Sequence, residues 1–157
     1  MSRLVLLLAV VAFAGCGSSN AQPKDDPGAF AVKIVGQIVH NKYSTAWADL
    51  HPLDQKVAPY AEYVQCEARS PVIAAPRTVQ VLSVGAESVV IGDGSFVESK
   101  AVHVRLGFVG GFHVVQTVHL VAEHGKWKWV LPPAWFRDYK AHKCPVDADS
   151  SPPPSTT

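Results

Sequence analysis

The sequence predicts an α+β domain in which N-terminal helices pack on a curved antiparallel sheet. Three observations carry that prediction. Residues 101–131 alternate apolar and polar side chains in three runs, separated by Gly110-Gly111 and His124-Gly125. That is the pattern of consecutive strands joined by tight turns. Residues 28–41 instead place Phe30, Ile34 and Ile38 four apart, with Val35 and Val39 widening the stripe, which is helical spacing. Helical segments precede strands, the segregated order of an α+β architecture.

The chain opens with a targeting segment. Arg3 is followed by an apolar run from Leu4 to Ala14, too short to span a bilayer and built like a secretory signal over residues 1–15. Its end, Phe13-Ala14-Gly15-Cys16, resembles the lipobox of bacterial lipoproteins. The resemblance implies cleavage behind Gly15 and a diacylglyceryl thioether on Cys16. Each buried CH₂ of such a lipid contributes about 0.8 kcal/mol, so two or more chains hold a protein to a membrane where one is marginal. An ordinary secretory signal cleaved near Ala21 is the competing reading. Residues 16–27 (C-G-S-S-N-A-Q-P-K-D-D-P) are polar and aperiodic, a tether between membrane and domain.

The domain is read as residues 28–145. Asp25 and Asp26 place negative charge where a helix N-terminus favours it, and Asn41 is the stop. Ser44-Thr45 starts a second helix through Trp47 and Leu50, which Pro52 ends. Residues 54–58 form a third turn, and residues 60–66 have no decisive period. Pro71 and Pro76 mark a loop, followed by strands at 78–84 and 88–91 and a turn at Gly92-Asp93-Gly94. Pro132-Pro133 stops the last strand, residues 135–142 return over the domain, and the Pro/Ser/Thr/Asp-rich residues 146–157 form a disordered tail.

With two-residue turns at both reversals, register follows by counting. One face then carries His103, Arg105, Gly107, Phe112, Val114, Gln116, Val118, Leu120, Trp127, Trp129 and Leu131, and is taken as the inner one. The other carries Val102, Val104, Leu106, Phe108, His113, Val115, Thr117, His119, Val121 and Lys128. So apolar an outer face calls for cover by a second copy of the chain or another element. Glu123 and Lys126 face each other across the second turn.

Lys+Arg 14 against Asp+Glu 13, with no basic run, points away from nucleic acid. Of the three cysteines, Cys16 belongs to the anchor. Cys66 and Cys144 remain, and outside the cytoplasm leftover thiols pair. A redox or metal thiol pair would want C-x-x-C spacing, which is absent. The sequence lacks H-E-x-x-H, a phosphate loop, G-x-S-x-G and a calcium loop, and implies no cofactor. His113 and His119 are separated by roughly 20 Å at strand rise and cannot share a metal.

Thr45-Ala46-Trp47 through Leu50-His51-Pro52, and Gly125-Lys126-Trp127-Lys128-Trp129-Val130-Leu131, resemble the nuclear transport factor 2-like (cystatin-like cone) superfamily. Within it the chain looks like small exported actinobacterial lipoproteins with a W-x-x-L-H-P stretch before one cysteine and a C-P near the end. The resemblance implies a cone between helices and sheet, where enzymes of the superfamily hold substrate. Fold likeness of this kind does not name a function.

On the counted register, Arg105 faces Gln116 with His103 two residues along. The three would hold a small anionic or polar ligand, with Tyr43, Trp47 and Tyr63 at the mouth. The competing expectation is that Arg105 pairs with a helix carboxylate such as Asp49 and His103 is a satisfied rim residue. The leading functional expectation is a membrane-anchored extracytoplasmic lipoprotein with a ligand-binding or protein-interaction domain. An isomerase, dehydratase or hydrolase using His103 with Asp49 is the second, since such chemistry needs a pocket carboxylate. A third is an accessory domain of a cell-wall enzyme complex. Envelope protein, small ligand and a second copy are the expected partners besides the membrane.

Overall fold

Asp26 caps the first helix: its carboxylate accepts from the Ala29 N–H at 2.7 Å, satisfying one of the free amides of the first turn. The computed structural model describes residues 22–145. The residues read as a signal segment, as the acylated Cys16 and as the first part of a tether (residues 1–21), and those read as a tail (residues 146–157), lie outside the described residues.

Helix α1 (Pro27–Val39) is followed by α2 (Tyr43–Ala48), α3 (Pro52–Val57) and α4 (Tyr60–Arg69). Strands β1 (Thr78–Val90), β2 (Phe96–Gly107), β3 (His113–Glu123) and β4 (Lys126–Trp129) then form one open antiparallel sheet in that order, and α5 (Pro133–Lys140) closes the domain. The result is an α+β domain with helices packed against the sheet.

Several boundaries differ from the sequence reading. Pro52 opens α3 rather than merely ending α2, because its missing N–H costs nothing at a first helical position. Residues 60–69 are a full helix, with Tyr63, Cys66 and Glu67 on the buried side. The two short strands read at 78–84 and 88–91 are one strand, β1, whose register against β2 shifts between Val81 and Ser83. That bulge leaves Leu82 over and breaks the period-two signal.

The largest correction concerns the β2–β3 reversal. It is not a two-residue turn: Gly107 pairs with His113, and residues 108–112 cross between the strands through a short 3₁₀ turn. Gly110 (φ 83°) and Gly111 (φ 80°) both occupy the left-handed region, which suits glycine. Relative to the counted register, β2 is displaced by one residue, and a one-residue slip exchanges its faces. Val102, Val104 and Leu106 therefore point at the helices and are buried, while His103 and Arg105 point outward. The apolar stripe expected to need a partner's cover is covered by the chain itself.

The β3–β4 hairpin follows the sequence reading. Glu123 pairs with Lys126 across His124-Gly125, and Trp127 and Trp129 face inward, 4% and 3% exposed. They meet Ile34, Leu50, Tyr63, Val102, Val104, Leu120 and Tyr139 in the main core. Each indole donates to a helical-layer or tether carbonyl: Trp127 to Asp25 and Trp129 to Ala46, both at 2.7 Å. Cys66 and Cys144 form a disulfide with Cα atoms 5.1 Å apart, tying α4 to the segment after α5.

Candidate functional site

The sheet splits at one end. β2 pairs with β1 as far as Phe96, but with β3 only to Lys100↔Leu120. Beyond Leu120, β3 pairs with β4 alone. Ser99 and Val121 would be the next partners across the gap, and they do not pair.

The start of α3 props the two arms apart. His51 N–H donates to the Trp129 carbonyl at 2.8 Å, and the Asp54 carboxylate accepts from Leu131 N–H at 2.8 Å, so α3 is sewn to the chain around β4. Against the other arm, Gly92 sits so near the Leu53 carbonyl that a Cβ there would lie 2.0 Å from its oxygen. Leu53 then joins Val89, Ile91, Val97, Val121 and Val130 in a second small core at the split. Asp54 is fully buried, and burial pushes its carboxyl up to about 6 even though the Leu131 and Gly92 amides favour the charged form.

Between the arms lies a cleft of about 680 Å³ whose lining includes Gln22, His51, Glu98, Lys100, Glu123 and Trp127. Its volume falls within the ordinary range for small-ligand sites, and apolar walls with a few convergent polar groups are their usual composition. His51 is the best-defined polar group. Its Nδ1 accepts from Leu53 N–H at 3.3 Å as the cap of α3, which places the proton on Nε2, 3.7 Å from a Glu123 oxygen. Burial lowers its pKa, and the Glu123 charge opposes that only in part. The imidazole is thus a neutral donor aimed at a carboxylate on the rim of the cleft.

On the other side of Trp127 a second cleft of about 580 Å³ holds Asp25, Asp26, Lys33, Asp49, Lys126 and Lys128. Several of its charged groups are committed within the fold. Asp49 takes Lys33 Nζ at 2.8 Å and Gln37 Nε2 at 3.0 Å, and Lys128 Nζ donates to the Ala48 carbonyl.

The structure scatters the residues grouped by sequence. His103 lies outward with Nδ1 2.9 Å from Thr117 Oγ1, and Arg105 is exposed opposite Val115. Gln116 belongs to the helix-facing side, opposite Val104. Arg105 and Gln116 therefore do not converge, because the longer turn moved β2 by one residue. Asp49 sits among the helices, bound to Lys33 and Gln37 rather than to Arg105, and on the opposite side of the sheet from His103. Tyr43 and Tyr63 are buried in the main core. Tyr63 stacks edge-on to Trp129 at 6.4 Å, and Tyr43 donates to Asn41 Oδ1 at 2.5 Å. Trp47 is half-buried and donates to the Ala58 carbonyl at 2.8 Å. None of the three lines either cleft.

A Ser-His-Glu alignment does occur on the outward face: Ser99 Oγ lies 3.2 Å from His119 Nδ1, and His119 Nε2 lies 3.8 Å from Glu87. Ser99 is 3% exposed and its hydroxyl donates to the Glu87 carbonyl at 2.8 Å. An oxygen so buried and so committed accepts from His119 and does not attack a substrate.

The sequence reading placed none of His51, Lys100 and Glu123 in a site: it named His51 only within Leu50-His51-Pro52 and Glu123 only as the cross-strand partner of Lys126. The available signal was His51-Pro52, a potential cap followed by the residue favoured at the first helical position. Among the described residues no group of three or more His, Cys, Asp or Glu side chains is arranged to hold a metal, and no helix is long and apolar enough to cross a membrane. No protein-family model and no curated protein sequence matches the chain, so the site is read from its residues.

Proposed function

We propose that the protein is a lipid-anchored extracytoplasmic binding protein whose ligand occupies the cleft where the sheet divides. The observation that carries this reading is the cleft's place in the chain: Gln22, six residues after the acylatable Cys16, lines it. A binding site at the root of a tether samples whatever is at or near the membrane surface. The interior between helices and sheet is filled by Leu50, Tyr63, Val102, Val104, Leu120 and Tyr139, each less than 2% exposed, which supports binding at the split rather than inside the layer. The order of four helices before a four-stranded antiparallel sheet suits a nuclear transport factor 2-like cone, and we take the fold in that sense.

The test is native mass spectrometry of the protein extracted from its own membrane. The mature mass should begin at a diacylglyceryl-modified Cys16 and carry a co-purifying adduct. Glu98→Trp, which puts bulk on an exposed arm of the cleft, should lose the adduct while keeping the lipid. An adduct equally retained by E98W, or none in the wild type, would refute binding at the split. A mature mass without diacylglyceryl would refute the anchor.

A further inference from the structure

We propose that the free end of the β2–β3 hairpin, with the outward sheet face behind it, lies on the anionic headgroup surface of the bilayer that carries the lipid of Cys16. The inference rests on the lipoprotein reading for the anchor, and on three further observations for the contact.

The first is exposed apolar surface at the tip. Val109 is 68% exposed, Phe112 64% and Val115 50%, although Phe112 already packs against Phe108 at 5.8 Å between ring centroids. Gly110 and Gly111 separate them with no side chain to shield them.

The second is charge. Residues 68–86 and 99–122, which supply the near half of β1, most of β2 and nearly all of β3, contain no Asp or Glu. The exposed Arg77, Arg105 and His113 surround the tip: Arg77 N–H donates to the Gly107 carbonyl, His113 pairs with Gly107, and Arg105 pairs with Val115. An apolar centre with a basic collar and no carboxylate complements an anionic interface, where aromatic rings enter the headgroup layer and cations meet phosphate.

The third is reach. Gln22 lies at the split, the far end of β3 from the tip. The ten-residue separation between Phe112 and Ala122 is roughly 33 Å at strand rise. Six residues from Cys16 to Gln22 extend to about 20 Å. That length lets lipid and tip meet one plane when the sheet lies along it. The rows Ser83–His103–Thr117 and Gln80–Arg105–Val115 then face headgroups, and the helical layer faces away.

The test reconstitutes the protein extracted from its own membrane into vesicles of phosphatidylglycerol with phosphatidylcholine, or of phosphatidylcholine alone. With Cys16 acylated and Cys66 bridged to Cys144, Val109→Cys supplies the free thiol for an environment-sensitive fluorophore. Its emission should shift to the blue and resist aqueous quencher in the anionic vesicles only. The same label at Gln65→Cys, on the exposed side of α4, should remain water-like in both. R105E changes the local charge by two units and should lower the docked-to-undocked ratio by roughly thirtyfold, at about 1 kcal/mol per unit charge near an anionic surface. F112D should abolish the shift while the far-ultraviolet circular dichroism stays unchanged. A label at position 109 that remains water-like in anionic vesicles overturns the proposal, including the case in which the tip binds an acidic protein instead. Lipid on Cys16 is read separately from the intact mass. Should it be absent, the labelled protein is added to preformed vesicles, and the same shift or its lack decides the contact.

Discussion

Strand β3 reverses at both ends, and the two reversals have opposite characters. At Glu123 the chain turns in two residues, pairs Glu123 with Lys126, and sends Trp127 and Trp129 into the core with their indole N–H groups bound to backbone carbonyls. At His113 it has just crossed residues 108–112, whose side chains are largely exposed. One end is stitched by long-range contacts to the tether, α2 and α3. The other is held by its ladder, by the Arg77 N–H bond to the Gly107 carbonyl and by Phe108, which packs against the edge of the main core. Cohesion is therefore concentrated at the end where the sheet divides, and the far end is free to serve as a surface.

The sharpest way to break that contrast is at the stitched end. Trp129→Ala removes a buried indole, its bond to Ala46 and its edge contact with Tyr63, and should cost about 3–5 kcal/mol. Urea unfolding with an unchanged denaturant slope would register it as a stability loss rather than a change of compactness. Removing the Cys66–Cys144 bridge, which spans 78 residues, should cost about 2–5 kcal/mol, read from the thermal midpoint of the double alanine variant. Gly92→Ala forces a methyl onto the Leu53 carbonyl and must push α3 from the split, at about 1–3 kcal/mol. Proton exchange of the α3 amides should accelerate in that variant while those of α1 do not.

Acidity sharpens the contrast through two neighbours on α3 with opposite signs. The folded pKa of His51 lies below its unfolded value, so its contribution is present above about 6.5 and lost as pH falls toward the folded value. Asp54 is raised to about 6 from 3.8, so its contribution is present below 3.8 and lost as pH rises through about 6. The two slopes have opposite signs, so in the wild type each masks part of the other as pH falls below about 6. Asp54→Asn keeps an acceptor for Leu131 N–H and removes one slope. Its urea midpoint should fall more steeply than the wild type's as pH drops from 6.5 to 4. Parallel profiles for the two proteins would exclude a buried, titrating Asp54.

How legible this was depends on how local each signal is. Trp127 and Trp129 faced inward as counted because a two-residue turn fixes register within four residues. The faces of β2 did not, because Gly110-Gly111 suggested the shorter of two turns that glycine serves equally. A better signal was available in β2 itself: Val102, Val104 and Leu106 make a more apolar face than His103, Arg105 and Gly107, and that comparison outranks turn counting. The disulfide was readable from parity together with the expectation of export. The cleft was not readable, since it exists only where two ladders part around α3, and no residue between Phe96 and Lys100 encodes that locally.

The smallest effect is the one most specific to the free end. Phe112→Ser deletes a ring that is 64% exposed and whose aromatic contact is Phe108. An aromatic pair contributes about 0.5–1.5 kcal/mol, and the serine side chain loses little by standing in water. The urea midpoint should thus shift by no more than that. A loss above about 2 kcal/mol would mean that residues 108–112 pin the β2–β3 register from their end of the sheet. The slip that exchanges His103 and Val102 would then be resisted by the turn as well as by the burial of Val102, Val104 and Leu106. With a small loss, burial alone sets the faces of β2, and the tip is left without a structural reason for its phenylalanine.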